Sequence, residues 1–391
     1  MIDKIKQLSF EINDELKKIR RYIHKNPEIG FNLDNTLLLV RTKLKEYGYT
    51  PIKCGKSGVY VDIGQGDKTI LFRADMDALD TEELTDLEYK SSNSYMHACG
   101  HDMHTAMLLG CAKVLKKIEN ELTNVIRLVF QPAEEILKGA VDMIEDDLLE
   151  PKVDYAVALH VLVATNLKSK SIMLAPIGVS APSSDMFEID VIGLSSHGAM
   201  PQLGIDPIIT ASNIVLALQS IVTKDVSFTE SSLVNITSIN GGSSYNLVPN
   251  VVVLKGTLRT YNENVRTYLK QRIENIVSNI CLAYKSKYSI RYISGCPTLI
   301  NDKELYDKTY NILKENYHNY LIDNNTNNEK NTASEDFSYI SHKVKSLLIT
   351  LSAGSIEEGY THPLHNSKAV FNDDVLYIGT SILCLLAYLI K

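Results

Sequence analysis

Two long stretches of this chain alternate short apolar runs with helical periodicity, and a middle stretch breaks the alternation. That pattern constrains the fold more than any other feature, because strand and helix signals in strict turn specify a largely parallel sheet covered on both faces. In the first stretch, helix signals fill residues 2–25 and 35–47, followed by strands over 59–63 and 68–74. Met107, Cys111, Leu115 and Ile118 repeat at helical spacing within a predicted helix over 103–119. A strand over 125–130, a break at Pro132, a helix over 134–147 and a strand over 155–159 complete a doubly wound half.

Near Gly178 the pattern changes to strand 186–192, helix 207–222, strands 232–239 and 251–259, helix 263–284 and strand 289–293. This β-α-β-β-α-β order suits a small open, ferredoxin-like sheet with helices on one face. Alternation resumes after Gly295 with a helix over 302–317, a strand over 346–351 and an apolar terminal helix. An Asn-rich loop around 323–331 is expected as a surface connection. The expected fold class is therefore α/β, a doubly wound domain (1–179 and 294–391) interrupted by a smaller inserted α+β domain (180–293). At 391 residues the chain suits two domains.

Composition narrows the partners. Asp and Glu number 47 against 40 Lys and Arg, with no basic stripe to neutralise a phosphate backbone, so nucleic acid is not expected. The apolar run 376–390 is broken by Gly379, Thr380 and Ser381 and falls short of the roughly 20 residues of a membrane span, so a buried helix is expected. Six scattered cysteines without disulfide-like spacing, and a charged amphipathic start, suggest a reducing cytoplasm.

The densest chemistry lies in Met96-His97-Ala98-Cys99-Gly100-His101-Asp102-Met103-His104. Thiolate and imidazole are the side chains that bind borderline transition metals best. Other metal-competent groups follow predicted strands, where open α/β sheets bind their ligands. Asp75 and Asp77 follow one strand, Glu134 and Glu135 another, His160 a third, and His362 and His365 the last. Of the adjacent glutamates, one could bind metal while its neighbour holds a water, the division of labour that hydrolytic sites need. Asp102 is expected to cap the helix that follows it, and His97 and His104 are not counted as ligands. A competing reading makes Cys99 the nucleophile of a thiol hydrolase. Another is a scaffold that binds without turnover.

Several segments in this order resemble the M20 metallopeptidase clan. They are His24-Lys25-Asn26-Pro27-Glu28, Phe72-Arg73-Ala74-Asp75-Met76-Asp77-Ala78-Leu79, the Cys99 segment, Phe130-Gln131-Pro132-Ala133-Glu134-Glu135 and Ser196-His197-Gly198-Ala199, then Gly241-Gly242 with Asn246, 256–260, 334–337 and 364–366. Within the clan they are similar to the amidohydrolase branch of hippurate hydrolases, N-acetyldiaminopimelate deacetylases and auxin-conjugate hydrolases. The resemblance implies two divalent ions held by Cys99, His101, Glu135, His160 and His365, with Glu134 as general base and Asp77 as an orienting carboxylate. The cysteine favours zinc, with manganese, cobalt or nickel as alternatives. It further implies an oxyanion donor, His197, and a substrate carboxylate held by Asn246 and Arg259. The implied substrate is a small N-acyl amino acid or a short peptide, the latter making the protein a carboxypeptidase or dipeptidase, and the implied assembly is a homodimer. Asp80 stands where relatives carry proline, and Gln202 where they commonly carry histidine.

Overall fold

The computed structural model describes residues 1–322 and 331–391; most of the expected Asn-rich loop lies outside the described residues. The chain divides into two compact units, one of residues 1–180, 300–330 and 336–391, the other of 181–299 and 331–335.

The first unit opens with helices α1 (Ile2–Glu11), α2 (Asn13–Lys25) and α3 (Asp34–Glu46). The single helix expected over 2–25 is broken at Ile12, whose ψ of 3° leaves the helical range. The break was invisible in sequence because the buried stripe Ile5, Ile12, Leu16, Ile19 and Ile23 keeps helical spacing straight through it. Then come β1 (Ile52–Cys54), β2 (Gly58–Ile63), β3 (Thr69–Asp75), α4 (His101–Lys116), β4 (Val125–Gln131), α5 (Gly139–Glu145), β5 (Tyr155–Leu162) and β6 (Ile172–Leu174). After the second unit the chain adds α8 (Lys303–Tyr317), α9 (Ser338–Ser341), β15 (Lys345–Ser352) and α10 (Leu376–Leu389).

These strands form one seven-stranded sheet in the order β1-β2-β4-β3-β5-β15-β6. The four central strands β4, β3, β5 and β15 are parallel, and the flanking pairings are antiparallel. All seven residues of β3 are buried, as a strand covered on both faces requires. Each wholly buried side chain such as Phe72, Phe130 or Ile349 contributes roughly 1.5–3 kcal/mol of transfer free energy. Helix α10 is buried almost all round, with Thr380 donating its hydroxyl to the Met107 carbonyl of α4 at 3.1 Å.

The second unit begins in the short strand β7 (Gly178–Ala181) and continues with β8 (Ser183–Ile192), β9 (Ser196–His197), α6 (Pro207–Lys224), β10 (Ser232–Asn240), β11 (Leu247–Val248), β12 (Val251–Thr260), α7 (Glu263–Ala283), β13 (Lys287–Cys296) and β14 (Leu299–Asn301). Strands β10-β12-β8-β13 form an antiparallel sheet in that order. Phe187, Ile189 and Val191 alternate along β8 and are buried in a core that includes Ile214 and Leu218 of α6 and Leu269 and Ile273 of α7. Side chains set the helix starts: Asp206 accepts the Ile208 N–H ahead of Pro207, and Asn262 accepts the N–H groups of Asn264 and Val265. The expected return to the first unit at 294 comes too early. Strand β13 stays paired with β8 through Gly295 and Cys296, and the first unit resumes at Ile300.

Candidate metal centre and active site

The four parallel strands share one direction, so their carboxyl ends form a single edge. Strand β3 ends at Asp75, with Asp77 just beyond. Strand β4 ends at Gln131, ahead of Glu134 and Glu135. His160 lies inside β5, opposite Thr350 of β15, because that strand runs on to Leu162 rather than stopping at 159. His101 opens α4 behind Gly100, whose φ of +87° and closeness to Val161 leave no room for a Cβ. His365 reaches the same edge in a left-handed conformation (φ 65°), its N–H held by the Ala98 carbonyl at 2.9 Å.

The turn carrying the glutamates differs from expectation. No helix starts at 134; α5 begins at Gly139. Asp77 takes the N–H groups of Glu134 and Glu135 on its two carboxylate oxygens, at 2.9 and 3.1 Å. Ala133 and Leu137 turn left-handed (φ 56° and 54°), and the Ala133 carbonyl accepts from both Lys138 and Gly139. A Cβ at Gly139 would stand 1.6 Å from the Pro132 carbonyl oxygen, so the chain can close this turn only with glycine there.

The five expected ligands come together. The donor atoms of Cys99, His101 and His160 lie within 4.8 Å of one another, as do those of Cys99, Glu135 and His365, and those of His101, Glu134 and Glu135. Cys99 Sγ is 3.5 Å from His160 Nε2, and Glu135 Oε1 is 3.8 Å from His101 Nε2 and 3.6 Å from His365 Nε2. Both inner imidazoles are fixed by their other nitrogen. His101 Nδ1 bonds the Asp77 carbonyl at 2.8 Å and His160 Nδ1 the Val161 carbonyl at 2.7 Å, which assigns a proton to Nδ1, so that the neutral ring carries its lone pair on Nε2.

These residues fit divalent cations. His101 Nε2 and Glu135 Oε1 are buried and lack hydrogen-bond partners, a condition that costs about 1–3 kcal/mol per atom unless something else satisfies them. Burial, helped by the Asp77 carboxylate, pushes Glu135 up to about 7, and burial with Glu135 nearby raises the Cys99 thiol well above its usual value. Burial, with His104 beside it, lowers His160. A cation reverses the first two trends by favouring carboxylate and thiolate, and the lowered imidazole is already in its ligating, neutral form.

Among the neighbouring groups, His104 and Asp102 have structural partners instead. His104 bonds Asp75 Oδ1 at 2.6 Å and accepts the Val161 N–H at 2.8 Å, so both its nitrogens are used. His97 is buried with neither ring nitrogen partnered, and burial takes it down to about 3. Asp102 is not the helix cap expected from sequence; Gly100 holds that position. Its buried carboxylate pairs with Arg20 Nε at 2.7 Å and His24 Nδ1 at 2.8 Å. Sequence reasoning also assigned no role to Arg73, Gln131 and Asp336, a buried polar cluster behind Glu134. The signal available was a charge and an amide inside otherwise apolar strands.

In the second unit, β9 pairs with β11, setting His197 opposite Leu247. The Gly198 N–H bonds the Asn246 carbonyl at 2.7 Å, so His197 and Asn246 stand on one small ribbon. His197 Nδ1 accepts the Ala199 N–H at 3.1 Å, which assigns its proton to Nε2. Arg259, in β12, donates to the Ser334 hydroxyl at 3.0 Å. Gly242, in the Gly241-Gly242 segment, adopts φ +82°.

An α/β unit with a cysteine-histidine-carboxylate centre at its strand ends, carrying an inserted antiparallel sheet, defines a class of metal-dependent hydrolases. The chain belongs to peptidase family M20/M25/M40, whose profile matches residues 71–389. It is 39% identical over 303 residues to the N-acetyl-L-cysteine deacetylase of Bacillus subtilis, covering 75% of this chain and 71% of that one. It is 37% identical to the hippurate hydrolase of Campylobacter jejuni, over 96% of this chain and 97% of that one. Among solved structures, a dinuclear metal-binding M20 peptidase from Bacillus subtilis superimposes with a TM-score of 0.78 at 26% identity, covering 97% and 98% of the two chains. The protein is thus an amide-bond hydrolase of this family.

Proposed function

We propose that this protein hydrolyses the amide bond of small N-acyl amino acids, releasing a carboxylic acid and a free amino acid, with two divalent cations held by Cys99, His101, Glu135, His160 and His365. The observation that carries this reading is the Glu134-Glu135 turn: Asp77 grips both backbone N–H groups, so one carboxylate sits among the ligand atoms with its neighbour beside it. Bound there, the cations would polarise the scissile carbonyl and lower the pKa of water from about 16 toward about 7. Glu134 takes the water proton and returns it to the departing nitrogen as the C–N bond breaks. His197, protonated at Nε2, donates to the developing oxyanion, while Asn246 and Arg259 hold the substrate's α-carboxylate. The deacetylase and the hippurate hydrolase among the relatives support the N-acyl amino acid class. Zinc is the preferred ion because a thiolate is among the donors. Six buried cysteines, none of them in a disulfide, support a reducing, cytoplasmic setting.

Purified protein assayed on acetyl, benzoyl and aminoacyl amino acids is expected to cleave at least one of the acetyl or benzoyl series. Glu134→Gln should retain its metal and lose several orders of magnitude in kcat. Rapid turnover by that variant would contradict the assignment of the base.

A further inference from the structure

Behind the metal ligands lies a second buried polar cluster, and its centre is Asp336. This residue is wholly buried just ahead of α9. Four donations converge on its carboxylate: Arg73 Nη2 to Oδ1 at 2.8 Å, Gln131 Nε2 to both oxygens at 2.8 and 2.9 Å, and the Ala140 N–H to Oδ2 at 2.9 Å. The backbone N–H of the same residue donates to Glu134 Oε1 at 3.3 Å. Arg73 extends the clamp, bonding Asp75 Oδ2 at 2.5 Å and Gln131 Oε1 at 2.9 Å.

We propose that Asp336 is a positioning residue for Glu134: its clamped side chain fixes the backbone whose N–H aims one oxygen of the base. The inference rests on Glu134 being the base. A carboxylate held from β3, β4 and the first turn of α5 cannot shift unless those elements shift, so the donated N–H is fixed to the same frame that presents Asp75 and Asp77. Asp77 anchors the backbone of Glu134 from one side. Asp336 anchors its side chain from the other. Such fixing matters because displacing a reacting group by about 1 Å can cost about 100-fold in rate.

Asp336→Asn keeps the shape but turns one acceptor into a donor facing Gln131 and Ala140. Its expected effect is a kcat loss of about 10- to 100-fold with KM within about threefold and two ions still bound by elemental analysis. In a Glu134→Asp background, where the carboxylate is already withdrawn by a methylene, the same substitution should cost less than about threefold, because residues acting as a unit are non-additive. An equal loss in both backgrounds, or a loss carried by KM or by missing metal, overturns the proposal. Gln131→Met, which removes the amide that donates to both Asp336 oxygens and accepts from Arg73 Nε but leaves the Arg73–Asp336 pair, should give a smaller loss in kcat alone, and no loss there overturns the proposal even if Asp336→Asn fails to fold. Wild-type turnover by Glu134→Asp and Glu134→Gln would instead count against the base itself.

Discussion

At the scale of single residues, Arg20 is the most exacting. It is wholly buried, its Nε 2.7 Å from Asp102 and its Nη1 3.0 Å from Asp373, and it also donates to the Tyr89 hydroxyl at 2.8 Å. Burial alone would raise the Asp102 carboxyl, but the Arg20 guanidinium and His24 outweigh it and hold the group well below the usual range. The pairing therefore stabilises the fold above the unfolded carboxyl value of about 3.9 and is lost as pH falls through the lower folded value. Arg20→Met strands that carboxylate, and the expected cost is about 3–5 kcal/mol at neutral pH, read by denaturant unfolding. A change below about 0.5 kcal/mol would contradict the role given to the pair. Sequence reasoning placed Asp102 at a helix cap because Arg20 and His24 lie about eighty residues away and nothing local announces them. A still longer separation hid the partners of Asp336, 205 residues from Gln131. The metal donors were legible because Cys99 and His101 are crowded into one short segment and Glu135, His160 and His365 lie at or after apolar runs that read as strands.

At the scale of elements, conformation at helix ends offers the cleanest test. Helix α7 ends with the Ser286 N–H bonded to the Cys281 carbonyl at 2.9 Å, a pattern that needs a left-handed residue, and Lys285 supplies it at φ 63°. The left-handed form costs a residue with a Cβ about 1–2 kcal/mol, and the Lys285 side chain is exposed. Lys285→Gly is expected to stabilise the second unit by about 1 kcal/mol, and a lowered thermal midpoint would contradict this. The order of the longer strands and helices across both units could be read from apolar periodicity, but the short strands, the break at Ile12 and the segment at 134 could not. Its composition suits a helix, yet Asp77 captures the N–H groups of Glu134 and Glu135 from another strand end, and a tertiary contact overrides local preference there.

At the scale of the molecule, the described residues include a core in each unit, and Cys99, His101, Glu135, His160 and His365 all belong to the first unit. The second unit's boundary escaped sequence reasoning because β13 outlasts its apolar alternation; pairing with β8, rather than composition, carries it to Cys296. The account as a whole stands on cations filling the space among Cys99, His101, Glu135, His160 and His365. Anomalous diffraction from crystals of catalytically active, metal-loaded protein measures this most directly. The account predicts two ions per chain with those five side chains as protein ligands, both removed, along with turnover, by chelation. Ions bound elsewhere, or full turnover from chelated protein whose crystals show none, would contradict it.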